Sequence, residues 1–155
     1  MDSCVICFSL LVGENQQPGY IIRHLHLSVQ HLPEIRTIYQ MQHLSWPDHG
    51  VLEDYSSVDH ILREVHALRL RQQNRSAPVV FHCSAGIGRS GTIIAIDILL
   101  KKIAQARADM IAGGQAQGIT LLRAQILDAV DIHGTVDRLK KQRSGMVQTK
   151  DQYRM

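Results

Sequence analysis

Residues 79–92 read VVFHCSAGIGRSGT, and the rest of the sequence can be interpreted outward from this segment. Its first three residues are a brief apolar run, which predicts a buried central strand. Glycine and serine are frequent in the loop over residues 84–91, and residues 92–103 are apolar nearly all round, as in a buried helix. Where such a loop enters a helix, the backbone N–H groups and the positive end of the helix dipole are directed at the same place and favour an anion there. The order of strand, glycine-rich loop and helix therefore predicts an anion-binding site.

Several side chains of this loop have the chemistry to act on a bound phosphate. Gly86 and Gly88 permit backbone angles that other residues resist. Arg89 supplies a planar fork that matches two phosphate oxygens. Cys83 begins the loop, where the field that attracts phosphate also stabilises a thiolate, and a thiolate beneath a phosphate is a nucleophile. A hydrogen bond from Ser90 to that sulfur would make it a better leaving group.

The ordinary structural alternative is a buried cysteine in a glycine-rich turn, with no chemical role. A cysteine and an arginine separated by five residues, with two glycines between them, occur by chance far less often. The spacing therefore favours a catalytic phosphate loop.

Strand-like and helix-like patterns alternate on both sides of the loop. Residues 20–29 nearly alternate between apolar and polar, and residues 34–44 are rich in β-branched and aromatic side chains, so both predict strands. Apolar residues at helical spacing predict an amphipathic helix over residues 56–70. This alternation indicates an α/β fold, which we expect to be a twisted mixed sheet flanked by helices. The other predicted features are a turn over 46–50, a polar connection over 74–78, a weak pattern over 104–130 with a helix at 121–129, and a short helix over 135–141.

The composition is ordinary for a soluble globular protein of one domain. The chain has 155 residues, of which 45% are hydrophobic and 20% charged, and its formal net charge is +3. No block of Lys and Arg is long enough to predict a nucleic-acid partner or a membrane-binding tail. No stretch approaches the ~20 apolar residues of a membrane span, and residues 1–12 lack the basic region of a secretory leader. We therefore expect a cytoplasmic protein.

The three cysteines do not predict a disulfide framework, because their number is odd and small. Cys4 and Cys7 form a C-x-x-C pair, which suits redox chemistry or half of a zinc site. No second Cys or His pair follows at finger-like spacing, so two small hydrophobic residues are the simpler interpretation. His24 and His26 would share one face of a strand without a third ligand. We predict no metal and no cofactor.

Three segments together resemble the classical protein tyrosine phosphatases. HCSAGIGRSGT, at residues 82–92, resembles the signature loop of that family. Trp46-Pro47-Asp48 resembles its mobile acid loop, and QTKDQY, at residues 148–153, resembles its glutamine loop. The segments occur in the family's order, with Asp48 placed 83 − 48 = 35 residues before Cys83. Residues 96–99 and 143–149 further resemble the cytoplasmic phosphatases that carry tandem Src-homology-2 domains, although no such domain is present in this chain.

The resemblance implies a role for each matching residue. Cys83 would attack the phosphorus of phosphotyrosine and form a cysteinyl-phosphate. Asp48 would protonate the departing tyrosine oxygen and then act as a base for water. Arg89 would clamp phosphate oxygens, while Gln148 would position the water with support from Gln152. The residues implied in catalysis are Cys83, Asp48, Arg89, Ser90 and Gln148, and those implied in substrate binding are Ser84, Ala85, Gly86, Ile87, Gly88, Arg89, Trp46 and Gln152.

Some of these residues also have a plain structural explanation. An aspartate is common after proline in a turn, and Gln148 and Gln152 are compatible with ordinary surface glutamines. For Asp48, the partnership with Trp46 and the cysteine loop outweighs that explanation.

The sequence also departs from the family's pattern. The resemblance begins at Tyr20, so the N-terminal elements of the fold are expected to be missing, with residues 1–18 as an atypical leader. Residues 104–130 resemble no family segment and are expected to be an atypical insertion in an otherwise single domain. Two functions follow. One is an enzyme that acts on phosphotyrosine-containing proteins, and the other is a truncated fragment that binds phosphoproteins with little or no activity alone.

Overall fold

The computed structural model of the chain describes residues 6–10, 14–29, 33, 35–71, 77–112, 127 and 130–155. The chain divides into two compact units, and each is described by itself. The first unit comprises residues 1–46 and 53–75, and the second comprises residues 47–52 and 76–155.

One antiparallel sheet forms most of the first unit, with β3 (Tyr20–Val29) as its central strand. β4 (Ile35–His43) pairs with nearly the whole length of β3. Two shorter strands, β1 (Ile6–Leu10) and β2 (Asn15–Gln17), pair with the opposite edge of β3. β2 and β3 are joined by the two residues Pro18 and Gly19, and the φ of +82° at Gly19 is the backbone conformation that this tight turn requires of a glycine.

The helix α1 (Ser56–Arg71) packs against β4. Its apolar residues recur at helical spacing, as the sequence predicts, and Val58, Ile61 and Leu62 are buried. A hydrogen-bonding distance of 2.7 Å between His43 Nε2 and Ser57 Oγ joins the end of β4 to the first turn of α1. Apolar contact and this polar link together hold the helix on the sheet.

Among its described residues the second unit has the helices α2 (Gly88–Ala112), α3 (Ile132–Gln142) and α4 (Lys150–Arg154). Both α3 and α4 pack against α2. Asp131 caps the start of α3 by accepting a hydrogen bond from the Gly134 N–H over 2.7 Å. The core of this unit lies between α2, α3 and the segment that follows α3, and its buried members are Ala95, Val136, Leu139, Met146 and Val147.

Most of the predicted elements are confirmed. β3 and β4 match the two predicted strands within one residue at each end, α1 extends the predicted helix by one residue, and α3 contains the predicted short helix. The α/β class is also confirmed, as a sheet accompanied by helices. The strand pairs of the described residues are all antiparallel, whereas a mixed sheet was predicted.

The prediction of a buried strand at residues 79–81 is wrong. These residues belong to no strand, and Val80 is 79% exposed. A strand needs a neighbour for its backbone N–H and C=O groups, and none of the described strands pairs with this run. The apolar composition of the run therefore does not determine its structure.

The bounds of α2 also differ from the prediction. The helix begins at Gly88, inside the predicted loop over 84–91, because the Gly91 N–H already donates to the Ile87 carbonyl. It continues to Ala112, through residues that the sequence pattern left unassigned. Alanine and other good helix formers are frequent there, which explains the extension.

Two strands were missed and several predictions lie outside the described residues. β1 and β2 both fall within residues 1–18, which were interpreted as a leader. Residues 113–126 and 128–129, which hold most of the predicted helix at 121–129, lie outside the described part, as do the side chains of Cys4 and Cys7 and residues 72–76. The organisation as a single domain with a leader and an insertion stays a prediction.

Candidate active site

The glycine-rich loop turns around Cys83 and leads into α2. The Gly86 N–H donates to Cys83 Sγ over 3.2 Å. Gly86 has a φ of +72°, a conformation that favours glycine. The first turn of α2 has no acidic residue to offset the positive end of the helix dipole. The potential around the sulfur is therefore positive.

The surroundings of Cys83 favour its thiolate. Burial raises the pKa of the thiol, but hydrogen bonds from the Ser90 side chain and from the backbone N–H groups of Ser90, Gly86 and Ile87 outweigh that effect and lower the pKa to about 7. Ser90 is 3% exposed, and its buried Oγ makes no well-formed hydrogen bond among the described residues. The hydroxyl favours the thiolate although its contact with the sulfur is not a well-formed hydrogen bond, and its role in catalysis stays a prediction.

We expect this pKa to control the reactivity of Cys83 towards iodoacetamide. Below about pH 7 the sulfur is protonated and unreactive, and above it the thiolate is alkylated, so the rate should rise with a midpoint about 7. Ser90→Ala should move that midpoint upward, because a donor to the thiolate is lost. Mass spectrometry of the peptide that contains Cys83 separates its alkylation from that of Cys4 and Cys7. A midpoint near that of a free thiol in the native chain would contradict the expectation.

Arg89, Ser84 and Asp48 form one set of contacts beside the loop. Arg89 Nη2 lies 3.0 Å from Asp48 Oδ1 and donates to Ser84 Oγ over 3.2 Å. Ser84 Oγ donates to Asp48 Oδ2 over 2.7 Å. The hydrogen bond from Ser84 has the largest effect and lowers the pKa of Asp48; burial acts in the opposite direction, and the charges of Arg89 and His49 lower the pKa further. The structure thus brings the predicted acid residue to the loop of Cys83, as an ionised carboxylate paired with the arginine.

The glutamine segment is organised by a capping box at the start of α4. Thr149 Oγ1 accepts from the Gln152 N–H over 3.1 Å, and Gln152 Oε1 accepts from the Thr149 N–H over 3.3 Å. This is the reciprocal pattern that the sequence Thr-x-x-Gln encodes. Gln152 was predicted only as a family match, although Thr149 and Gln152 have the spacing of a capping box in the sequence.

Gln152 also links three parts of the site. Its side chain is buried, with the residue 3% exposed. Its Oε1 accepts from the Gln148 N–H over 3.1 Å, and its Nε2 donates to the carbonyl of Gly50, just after Asp48, over 3.4 Å. A Cβ added to Gly88 would lie 3.1 Å from Gln148 Oε1 and 3.2 Å from Gln152 Nε2, so a glycine at the start of α2 lets both amides approach the loop. The substrate-binding role of Gln152 stays a prediction beside this structural one.

Val147 is a site residue that sequence reasoning missed. It has a φ of +57°, which is costly for a β-branched residue, by roughly 1–3 kcal/mol. Its N–H donates to the Ile87 carbonyl over 3.0 Å, and its side chain is buried. A Cβ on Gly91 would lie 2.5 Å from Val147 N, so only glycine permits this approach. The strained residue joins the phosphate loop to Gln148, and no local sequence signal marks it.

Arg143 is a second residue without a predicted role. Its Nη2 donates to the Ala85 carbonyl over 3.3 Å. A Cβ on Gly86 would lie 3.2 Å from the same nitrogen, so the guanidinium lies directly on the loop backbone. Residues 143–149 were used only for the family resemblance, so the contact of Arg143 with the loop was not predicted.

Trp46 belongs to the first unit. It is 8% exposed, and its ring lies 6.0 Å from that of His43, edge to face. Its part in substrate binding stays a prediction, as do the roles of the backbone groups from Ser84 to Gly88.

Within the described residues, no group of three or more His, Cys, Asp or Glu side chains is placed to hold a metal ion. None of the described helices is both long and apolar enough to cross a membrane.

Comparison with known proteins adds an independent observation. The sequence profile of the protein-tyrosine phosphatase family matches residues 3–155. The resemblance predicted from the three motifs covered only Tyr20 to Arg154 and left out residues 104–130. The match of the family profile is wider than that of the motifs, since it takes in residues 3–19 as well.

Individual relatives point to the same family. Tyrosine-protein phosphatase Lar-like of Caenorhabditis elegans is 37% identical over 134 residues, or 86% of this chain, and the chain spans 5% of it. Tyrosine-protein phosphatase corkscrew of Drosophila virilis is 34% identical over 146 residues, or 92% of this chain, and the chain spans 17% of it. The crystal structure of a Trypanosoma cruzi protein tyrosine phosphatase matches 99% of this chain with a TM-score of 0.71 and 25% identity, and the chain spans 45% of it. Since profile, relatives and fold agree over nearly its whole length, the chain belongs to the protein-tyrosine phosphatase family.

Proposed function

We propose that this chain hydrolyses phosphotyrosine in proteins through a cysteinyl-phosphate intermediate. The proposal rests on Cys83, whose thiol has a pKa of about 7 and which lies in the loop that leads into α2. The next residue, Ser84, is hydrogen-bonded to both Asp48 and Arg89. A nucleophile, an acid and a phosphate clamp are the three parts that the reaction needs.

The first step transfers the phosphoryl group to sulfur. The Cys83 thiolate attacks phosphorus, and the bond from phosphorus to the tyrosine oxygen breaks as the S–P bond forms. The electron pair of the broken bond stays on that oxygen, which takes a proton from Asp48. Arg89 binds two phosphate oxygens through its planar fork. The phosphate dianion draws the guanidinium away from Asp48 and repels the carboxylate, and both changes favour the protonated acid.

The second step returns the enzyme to its starting state. A water positioned by Gln148 attacks phosphorus and gives a proton to Asp48. The S–P bond breaks, its electron pair returns to Cys83 as thiolate, and inorganic phosphate leaves. The buried Ser90 hydroxyl stabilises the departing sulfur through a hydrogen bond. One water is consumed for each phosphate released.

A second candidate is a fragment that binds phosphoproteins and turns them over slowly or not at all. Five large apolar residues in the described part are more than 60% exposed: Ile35, Leu70, Val80, Ile111 and Leu127. Such side chains are available for contact with another protein, although single exposed apolar residues are also common on protein surfaces. Capture of a phosphotyrosine peptide without release of phosphate would favour this candidate.

The experiment for the proposed function compares wild type with Asp48→Asn on two substrates. We expect the wild-type chain to release phosphate from a phosphotyrosine peptide, and Asp48→Asn to lower kcat on that peptide by about 10²–10⁴-fold, because the leaving oxygen must be protonated. Dinitrophenyl phosphate has a leaving group that departs without a proton, so its kcat should fall much less.

Asp137→Asn is the matched control, since Asp137 is an exposed carboxylate of α3 that pairs with Lys141 over 2.8 Å. It should leave both rates unchanged. Absence of phosphate release by folded wild type would exclude the enzyme and leave the binding fragment.

The placement within the family and in the cell is also a proposal. Residues 96–99 and 143–149 resemble the non-receptor phosphatases that carry tandem Src-homology-2 domains. This resemblance supports placing the chain with that type, in the cytoplasm. Human tyrosine-protein phosphatase non-receptor type 13 is 36% identical over 143 residues. Receptor-type relatives are as similar, so the two motifs are the support for this placement.

A further inference from the structure

We propose that Ser84 is the positioning residue of the acid: its hydroxyl holds Asp48 at the phosphate loop while Arg89 is exchanged from Asp48 to the substrate. This inference rests on the proposed function and assigns a task to a side chain that was predicted only to bind substrate.

The contacts form a closed triangle. Ser84 Oγ donates to Asp48 Oδ2 over 2.7 Å, while Arg89 Nη2 reaches both Ser84 Oγ, at 3.2 Å, and Asp48 Oδ1, at 3.0 Å. The two oxygens of the carboxylate therefore have different partners. Loss of Arg89 to a phosphate would free Oδ1 and leave Oδ2 on the serine.

Asp48 depends on such a partner because its other polar contacts among the described residues are only the Arg89 guanidinium and the backbone N–H of His49, its neighbour in the same turn. Its side chain is 55% exposed, so packing does not hold it. It lies in the turn that continues into His49, whose φ is +58°, rather than in a helix or strand. Ser84, in contrast, follows the nucleophile directly in sequence. A bond to Ser84 therefore ties the acid to the place where the chemistry occurs.

A hydroxyl is suited to this task in both states of the acid. It donates a hydrogen bond to a carboxylate and accepts one from a carboxylic acid, whereas a guanidinium only donates. When the substrate takes Arg89 and Asp48 gains a proton, the hydroxyl can rotate and keep its contact. Arg89 cannot hold the protonated acid in this way.

The groups around Asp48 determine whether its pKa is raised or lowered. Arg89 contacts it from α2, His49 is its neighbour in the turn, and Cys83 lies in the loop that carries Ser84. The hydrogen bond from Ser84 is the largest influence that lowers the pKa of Asp48. Removal of the hydroxyl should therefore raise that pKa.

The first measurement needs no turnover. A ¹³C NMR titration of the Asp48 carboxyl carbon compares wild type with Ser84→Ala, Ser84→Thr and the control Ser144→Ala, an exposed serine outside the loop. We expect the midpoint to rise in Ser84→Ala, to return towards wild type in Ser84→Thr, and to stay unchanged in Ser144→Ala. An unchanged midpoint in Ser84→Ala would overturn the proposal.

The second measurement separates the acid from the phosphate cradle. Ser84→Ala should lower kcat on a phosphotyrosine peptide by about 10- to 100-fold, the cost of a misplaced catalytic group, and leave kcat on dinitrophenyl phosphate nearly unchanged. In an Asp48→Asn background it should cause no further loss on the peptide. An equal loss on both substrates, or a further loss without Asp48, would show that Ser84 acts on the phosphate and overturn the proposal. If wild type hydrolyses neither substrate, the proposed function fails, and the titration alone then decides whether Ser84 holds Asp48.

Discussion

Cys83→Ser is expected to lower phosphate release from a phosphotyrosine peptide by roughly 10⁴-fold or more, the scale on which loss of a nucleophile acts in other covalent hydrolases. The loop lowers the pKa of the thiol to about 7, so a large fraction of the sulfur is ionised at neutral pH. A serine hydroxyl in the same place stays protonated, because its intrinsic pKa is far higher than that of a thiol. The substitution therefore removes the nucleophile and preserves the shape of the loop.

Binding should survive this change. Arg89 and the loop N–H groups remain, so a phosphotyrosine peptide should still bind to Cys83→Ser, as isothermal titration calorimetry can measure. Cys4→Ser is the matched control and should keep wild-type turnover. Substantial phosphate release by Cys83→Ser would place the nucleophile elsewhere, and loss of peptide binding with the fold intact would show that the sulfur itself holds the phosphate.

Arg89→Lys is expected to lower kcat by about 10²–10³-fold, the cost of removing one preorganised donor to the transition state. Lysine keeps the positive charge but has no planar fork, so it cannot bind two phosphate oxygens in the same geometry. It also loses the single nitrogen, Nη2, that reaches both Ser84 and Asp48. Affinity for vanadate should fall with kcat, because both depend on the fork.

The control for this change is Arg138→Lys. Arg138 is an exposed arginine of α3 whose Nη2 lies 3.5 Å from Asp131 Oδ2, so the same substitution is made at a surface ion pair of small energetic weight. Its kcat should equal that of wild type. Urea unfolding of both variants shows whether activity and stability change separately. If Arg89→Lys keeps wild-type kcat, charge alone is enough at this position and the role of the fork is wrong.

Local pattern was sufficient for β3, β4, α1 and α3, but not for β1, β2 or the bounds of α2. The alternation over residues 20–29 and the helical spacing of Val58, Ile61 and Leu62 are short-range properties, and both are found in β3 and α1. Residues 79–81 show the limit of such patterns. Their apolar run resembles a strand, but strand formation depends on a partner elsewhere in the chain, which no local window contains.

The residue types of the site were also accessible from the sequence. Cys83, Arg89 and Ser90 lie within one loop, so their relation is a matter of spacing and of the chemistry of that loop. The C-terminal part of the site was less accessible. Val147 has a strained backbone, and Arg143 contacts Ala85. Both features arise from packing between distant segments, so the neighbouring residues in the sequence do not predict them.

The sequence by itself determined which residues we propose as nucleophile and phosphate clamp, because Cys83 and Arg89 are recognisable from residue type and spacing, whereas the role of Asp48 was implied by the resemblance to the family's acid loop. Only the tertiary structure decided how these groups are coupled. Asp48 and Ser84 are 36 positions apart, and Gly50 and Gln152 are 102 apart, yet each pair is within hydrogen-bonding distance. Hydrogen bonds act over about 3 Å of space whatever their separation along the chain, so the partners of the acid follow from the fold and not from the motifs.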